Sequence, residues 1–599
     1  MYSNGNITKY NDQDWNEDYG NGNDQRPFIP SSTNTTSNLV NAVSLLSVSH
    51  NAPNALTDQH IQSRQASSPH YHARIAAVLA RNQLSSRTTT NQGTMKSIDD
   101  GSSTQQQERK EDNKNSNQQL WTVLDIGGLG LKHLSSSLFA YDFLTAVYMN
   151  HNQLTYIHPD IVKLSHLEIL DCSGNNITEV FPGIGQLASL KELLLFDNQI
   201  VTLPNEIGML YRLETLGLEG NPLQNDLQNL IMNEGTQGLI SSLREHMPVG
   251  LPPPSREWLT IEDNENISDS EAEERFTVLS YNTLCPKYVN DQKYGYTPAW
   301  ALEWDYRKEL LFSEINDIDA DILCLQEVAM DDFESVFTPY LKNHGNYDGI
   351  FYPKSRAKTM SENDRKWVDG CATFFKSSRY KLVDHLFVEF NKKGLERPDF
   401  KSSKDTYNRL MPKDNIAIFS LLEDIKTQNM VIVTNSQLTW DPAFSDVKLV
   451  QIGIMMDELC QFASRTILES TKNNLDGKQQ YTSITSIPIL ICGDFNSEPN
   501  SGLYEYLTKG NLDHDHDEFN QCQYGSFTAN GLQHDLSLKS GYSYIGELDF
   551  TNFTPDYKGT LDYIFFTTKT LDVVSVLGPL DPVYMSNVVG IPNPHFPSE

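Results

Sequence analysis

Basic residues are scarce in this chain. Of its 599 residues, 46 are Lys or Arg against 78 Asp or Glu, a formal charge of −32 at pH 7. A generic electrostatic grip on nucleic acid is thereby excluded, and any such contact must come from a local patch. Long apolar runs are also missing. The opening "MYSNGNITKYNDQDW" has no apolar signal core, and no later stretch is long enough to span a bilayer, so no membrane partner is expected. Cysteine is sparse. The seven, Cys172, Cys285, Cys324, Cys371, Cys460, Cys492 and Cys522, show neither a metal spacing nor a disulfide framework. A reduced compartment is expected, the cytoplasm first and the nucleus second.

What is present falls into regimes. Residues 1–118 are rich in Asn, Gln, Ser and Thr and poor in large apolar side chains, so they are expected to be a disordered tail. One island, "SPHYHARIAAVLARNQ" at 68–83, has Pro69 where a helix would start and Ile75, Val78 and Leu79 on one stripe. A transient helix and a partner-docking helix fit it equally. A Pro-rich and acidic linker is expected over 251–275, with "GLPPPSREW" stiff and "IEDNENISDSEAEER" a solvated tether.

Between tail and linker, at 119–250, lies an internal repeat. The segments "LTAVYMNHNQLTYI", "LEILDCSGNNITEV", "LKELLLFDNQIVTL" and "LETLGLEGNPLQND" place Asn152, Asn175, Asn198 and Asn221 at a constant step of 23. This is the leucine-rich repeat pattern. Its alternating apolar residues make a short strand, and its Asn turns inward to satisfy loop backbone. "WTVLDIGGLGL" fits the register with Leu129 at the Asn position, like a degenerate cap. Such solenoids are binding surfaces, so this part is expected to be a docking module.

Residues 276–599 read as a globular α/β domain. Strand-like runs "FTVLSYN", "DILCLQEV", "MVIVTNS" and "IPILICGDFN" alternate with helical patterns such as "WDYRKELLFSEIND", striped by Tyr306, Leu310, Leu311 and Ile315. The strands end in polar residues: Asn282, Gln326–Glu327, Asp494 and Asn496. Carboxylates and carboxamides at ends of buried strands are costly unless paired or bound to a metal, and several at equivalent ends point to a shared site. Without thiolates or histidines beside them, these hard oxygen ligands suggest Mg²⁺.

The motifs "YNTLCPKY", "ILCLQEV", "CGDFNSEPNSG" and "GTLDYIFF" resemble the endonuclease–exonuclease–phosphatase family. More narrowly, leucine-rich repeats followed by "PKSRAKTMSENDRKWVDGCATFFK" and "WDPAFSDVKLVQ" are similar to the carbon catabolite repressor protein 4 type of poly(A)-specific 3′→5′ exoribonuclease, over about 121–599. The resemblance implies a solenoid followed by a two-sheet α/β sandwich that cleaves phosphodiesters with Mg²⁺. It assigns Glu327 as the main Mg²⁺ ligand, positioned by Asn282, and Asp494 as the residue that orients or activates the attacking water. Asn496 would hold the scissile phosphate and the nearby base, Pro442 and Tyr557 would sandwich an adenine, and Asp562 would orient a catalytic His. The implied partners are single-stranded poly(A) RNA, a second deadenylase of the DEDD class bound by the repeats, and the NOT scaffold complex. The basic run Lys354, Arg356 and Lys358 is either a phosphate path, which the acidity of the rest favours, or a solvated loop.

Two positions depart from the family pattern. Gln437 stands in "NSQLTWDP" where the family carries a His that contacts the scissile phosphate; glutamine keeps a donor but neither charge nor a relayed proton. After "NPHFPS" the family continues with a catalytic Asp-His pair and an apolar strand, whereas here Glu599 follows Ser598; His595 is expected to be a turn residue. Two readings stay open at this point: a deadenylase of lowered turnover, and a catalytically impaired paralogue that acts as a binding or decoy subunit through its repeats.

Overall fold

The 23-residue step reappears as strand register. In the computed structural model, which describes residues 121–261, 274–472 and 481–598, five short parallel strands pair in chain order. They are Val123–Asp125, Ala146–Tyr148, Ile169–Asp171, Glu192–Leu194 and Thr215–Gly217, and Val123, Ala146, Ile169, Glu192 and Thr215 stand side by side. The expected disordered tail, its helix candidate at 68–83 and most of the acidic tether lie outside the described residues.

Leu144, Leu167, Leu190 and Leu213 stack fully buried along the solenoid, one per repeat. The inward Asn residues form a ladder. Asn175 accepts from Leu154 N at 3.0 Å and donates to Cys172 O at 2.8 Å and Met149 O at 3.1 Å; Asn152, Asn198 and Asn221 repeat the pattern. Each satisfies backbone groups that the close stacking has cut off from water. Two helical stretches within Asn225–Glu245, broken at Gly235 (φ 68°), close the end of the solenoid. Gly208 is needed there, because an added Cβ would lie 2.3 Å from Arg244 N.

The second module is a two-sheet sandwich. One sheet holds, in order, Val278–Asn282, Ile322–Ala329, Asp369–Lys376 and Tyr347–Pro353. The other holds Tyr380–Glu389, Ile416–Asp424, Met430–Gln437, Ile489–Asp494, Asp562–Thr567 and Leu538–Ser540. Strand alternation explains the layers. Ile322, Cys324, Val431, Val433, Leu490, Cys492 and Phe566 point inward and pack the two sheets together. Leu323 and Leu325 point out under helix Trp304–Ile318, and Ile489, Ile491 and Phe565 point out under helix Ser445–Lys472. The buried stripe of Trp304–Ile318 is Arg307, Leu311, Phe312 and Ile315, so the expected Tyr306 and Leu310 sit at its margins.

The linker expectation needs correction. Trp258–Thr260 is a strand paired antiparallel with Ser575–Leu577, and Arg256 donates to Gly578 O at 2.6 Å, so the second half of the Pro-rich segment is built into the sandwich module. Ile261, where the acidic stretch begins, is buried as well. The solenoid also touches the sandwich directly. Arg244 donates to Gly295 O at 2.5 Å, Ala299 N donates to Glu245 at 2.9 Å, and Tyr211 meets Tyr296 edge-on at 5.7 Å. Among the described residues no helix is long and apolar enough to cross a membrane.

Candidate active site

The polar strand ends meet at one end of the sandwich. Asp494 shares the inward parity of Leu490 and Cys492, Gln437 that of Val431 and Val433, and Asn282 that of Val278. Register sets Asp494 beside both Gln437 and Asp562 on the neighbouring strands. Gly493, at φ 153°, allows the approach, since a Cβ there would lie 2.0 Å from Ser436 O.

Glu327 reaches the same place by a different device. Alternation from Leu323 and Leu325 would turn it outward, under the helices. Instead the ladder shifts, with Ala372 opposite Leu325 and Gly370 opposite Val328, so that Gln326 and Glu327 together face Cys371. This is a β-bulge, and Glu327 takes the left-handed conformation, φ 57°, that lets both residues face the interior.

One hydrogen-bond network joins these groups. Gln437 Nε2 donates to Glu327 Oε1 at 2.8 Å and to Asp494 Oδ2 at 3.2 Å. Asn282 Nδ2 donates to Asp494 Oδ2 at 3.0 Å, Asn496 N to Asp494 Oδ1 at 3.1 Å, and Cys285 N to Glu327 Oε2 at 3.0 Å. Asn282 in turn accepts from Leu284 N at 3.0 Å. Burial pushes the Glu327 carboxyl above the usual carboxylate range; Lys354 opposes this, Asp369 adds to it, and the bonds from Gln437 and Cys285 pull it back in part. Glu327 is thus a buried carboxylate short of positive charge.

The other expected residues ring this network. Asn496, left-handed at φ 49°, donates its amide to Leu438 O at 3.1 Å. Asp562 accepts from Thr551 Oγ1 at 2.6 Å. Tyr557 stands on the hairpin Asn552–Thr554 and Tyr557–Gly559, its hydroxyl donating to Glu498 at 3.2 Å, and Glu498, Asp494 and Asp562 add to burial in raising its phenol pKa. Pro442 opens the short turn Pro442–Phe444 and stays outside the network. His595 is a turn residue, as expected, bonded to Tyr584 Oη at 2.8 Å.

The cations of the basic run are all ion-paired, Lys354 and Arg356 in a mostly buried cluster and Lys358 in a more exposed pair. Lys354 pairs with Asp369 at 2.6 Å, Arg356 with Asp369 at 2.5 Å and Asp414 at 2.7 Å, and Lys358 with Glu389. In so acidic a chain each of these cations has found a carboxylate. Reading the sequence missed this buried ion cluster beside Glu327, although Asp369 carries the same signal as Asp494, a carboxylate at the end of an apolar strand. It also missed Lys448, whose Nζ donates to Asn496 O at 2.5 Å and whose ammonium burial holds below its ordinary value.

The donor set fits a hard divalent cation. Carboxylate oxygens of Glu327 and Asp494 converge with carboxamides beside them, and Lys354 offsets the burial of Glu327 only in part. Among the described residues no three His, Cys, Asp or Glu side chains cage a metal by themselves. This suits an ion that completes its shell with water and substrate oxygens.

Comparison with known proteins decides the family. The model of the Endonuclease/Exonuclease/phosphatase family matches residues 279–598, more than half of the chain. The chain belongs to that family. The family match takes in every strand of both sheets except the first residue of Val278–Asn282, and a Leucine Rich Repeat model matches residues 166–187. A relative from Mycosarcoma maydis, "CCR4-Not complex 3'-5'-exoribonuclease subunit Ccr4", is 47% identical over 581 residues, covering 90% of this chain and 86% of its own. The protein of that name from Schizosaccharomyces pombe is 48% identical over 505 residues, covering 80% and 73%. The crystal structure of ANGEL2, a 2',3'-cyclic phosphatase, aligns with a TM-score of 0.43 at 26% identity, over 58% of this chain and 96% of that one. The family member is thus of the Ccr4 type, with repeats and sandwich in one chain.

Proposed function

We infer that this chain is a 3′→5′ exoribonuclease that shortens mRNA poly(A) tails, the catalytic subunit of a deadenylase complex. The observation that supports it most is the convergence of Glu327, Asp494 and Asn282 on one network, in a chain 47% identical to a Ccr4 exoribonuclease subunit.

The residues divide the work by their surroundings. Asp494, held by three donors, orients the attacking water and accepts its proton. Glu327 and Asp494 would hold a divalent cation, Mg²⁺ by donor type, which when bound stabilises charge developing on the phosphate oxygens. Asn282 fixes the Asp494 carboxylate, and Gln437 keeps the two carboxylates apart by donating to both. Asn496 holds the scissile phosphate, Pro442 and Tyr557 clasp the terminal adenine, and Asp562 fixes the geometry of that end of the site. The repeats recruit a second deadenylase of the DEDD class and, through it, a NOT scaffold, in the cytoplasm and secondarily the nucleus.

The test is degradation of a 5′-labelled RNA with a 3′-oligo(A) tract by the purified chain with Mg²⁺. A ladder shortening from the 3′ end is expected, and Glu327→Gln should slow it by more than about 100-fold, beyond the 10–100-fold loss typical of an outer partner of a metal site. Equal rates in both proteins, or no shortening by the wild type, would refute the reading.

A further inference from the structure

Trp440 stands three residues beyond Gln437 and is 73% exposed. A loop that simply dangled would explain this, but the segment is fixed on both sides. Leu438 is buried and its N–H donates to Asp494 O at 2.9 Å. Its carbonyl accepts from Asn496 at 3.1 Å. Thr439 is buried too: its N–H donates to Gln451 at 3.0 Å and its hydroxyl to Asn415 at 2.9 Å. On the other side Asp441 caps the turn by accepting from Ala443 N at 2.9 Å. The backbone at Trp440 is therefore held, and its indole is presented to solvent from a rigid base.

The place is as telling as the exposure. Three residues reach at most about 11 Å, so the Trp440 backbone lies within that distance of Gln437 and the network it joins. Pro442 is two residues on, and Phe444 carries the Lys413 ammonium 3.5 Å from its ring centroid. Proteins that hold single strands add exposed aromatic faces to their positive charges, because every base has a π-face and stacking tolerates sequence. With Lys354, Arg356 and Lys358 already neutralised, stacking must carry more of the grip here.

Resting on the exoribonuclease reading above, we propose that Trp440 is a stacking platform for a substrate base upstream of the one clasped by Pro442 and Tyr557. The ring binds substrate and takes no part in proton transfer. A purine, with its larger face, is the favoured occupant.

The test measures binding of a 5′-fluorescein A10 RNA to the full chain by anisotropy, in EDTA so that no hydrolysis intervenes. Wild type, Trp440→Ala and Trp440→Phe are each titrated with intact A10 and with A10 carrying one abasic site at the second, third or fourth nucleotide from the 3′ end. Trp440→Ala should weaken binding about 5–150-fold, and Trp440→Phe should keep most of the affinity. One abasic position should cost the wild type a similar factor but cost Trp440→Ala less than about twofold, the mark of a lost mutual contact. Equal abasic costs in wild type and Trp440→Ala at every position would overturn the proposal. If the wild type nevertheless shortens A10 once Mg²⁺ is added, the exoribonuclease reading survives that failure. If the wild type neither binds nor shortens A10, both fall.

Discussion

Gln437 occupies the most constrained position at residue scale, because its single amide donates to two carboxylates that would otherwise face each other. Gln437→Ala would remove that donor and leave buried acceptors with like charge between them. A loss of about 1–3 kcal/mol is expected, read as a lower thermal midpoint. Gln437→His tests the complementary point. An imidazole between two carboxylates favours its protonated form, so its pKa should lie above the ordinary His value. Deadenylation by Gln437→His should rise about ten- to 100-fold at acidic to neutral pH, where the imidazolium faces the phosphate, and decline as pH passes through that raised pKa. A pH–rate profile parallel to that of the wild type would refute it. Several residues of this site were legible as sequence. Asn282, Asp494 and Asn496 close apolar runs, and no local role accounts for so many polar groups at buried ends. Glu327 was legible as a polar residue at such an end, but not the way it reaches the site, because period-2 alternation turns it to the wrong face and no residue in "LCLQEV" announces a bulge. The neutralised state of Lys354 and Arg356 was hidden because their partners Asp369 and Asp414 lie elsewhere in sequence.

At the scale of the element, helix Ser445–Lys472 buttresses the site with its first two turns: Lys448 holds Asn496 and Gln451 holds Thr439. Its anchor is Asp446, fully buried, which accepts from Arg409 at 2.6 and 2.7 Å and from Tyr524 at 2.6 Å. A carboxylate also suits the positive end of the helix. Burial alone would raise the Asp446 pKa, but the bonds from Arg409 and Tyr524 outweigh it and hold the carboxyl below its ordinary value. A carboxyl depressed on folding contributes stability above its unfolded pKa and loses it as pH falls through the folded one. The Asp446 contribution should therefore be complete above about pH 4 and fade below it. Asp446→Asn should cost about 2–3 kcal/mol near neutrality, and the gap in denaturant midpoint from the wild type should narrow on acidification below that pH. A gap constant from pH 7 to pH 3 would show that charge is not what anchors the helix. The anchor was not legible in the sequence, since Arg409 and Tyr524 lie 37 and 78 residues away.

For the molecule as a whole, the constant step of 23 made the solenoid readable in advance, but not what it leans on. Ala188, Met209 and Tyr211 of the repeats pack against Leu284, Tyr294, Tyr296 and Leu302, which belong to the connection after the first strand of the sandwich, with its short helices Asp291–Tyr294 and Ala299–Leu302. The near end of that connection supplies Leu284 N–H to Asn282 and Cys285 N–H to Glu327, so the surface that bears the solenoid also sets two site residues. Repeats and site are thus joined through one segment, and the repeats are expected to steady the site as well as to dock partners. Arg244, whose guanidinium donates to Gly295 O, contributes about 1.5–3 kcal/mol as a charge-assisted bond, and the Tyr211–Tyr296 contact about 0.5–1.5 kcal/mol. The double variant Tyr211→Ala, Arg244→Ala should thus release the connection while leaving both cores intact. Calorimetry should show the melt of the solenoid separating from that of the sandwich. Because misplacement by an ångström costs up to about 100-fold in rate, kcat on oligo(A) should fall about ten- to 100-fold. Single substitutions should give intermediate losses, and metal affinity should drop alongside kcat, since the Cys285 N–H steadies Glu327. Unchanged kcat with a split melt would show that the modules touch without coupling, and that the connection holds Asn282 and Glu327 unaided.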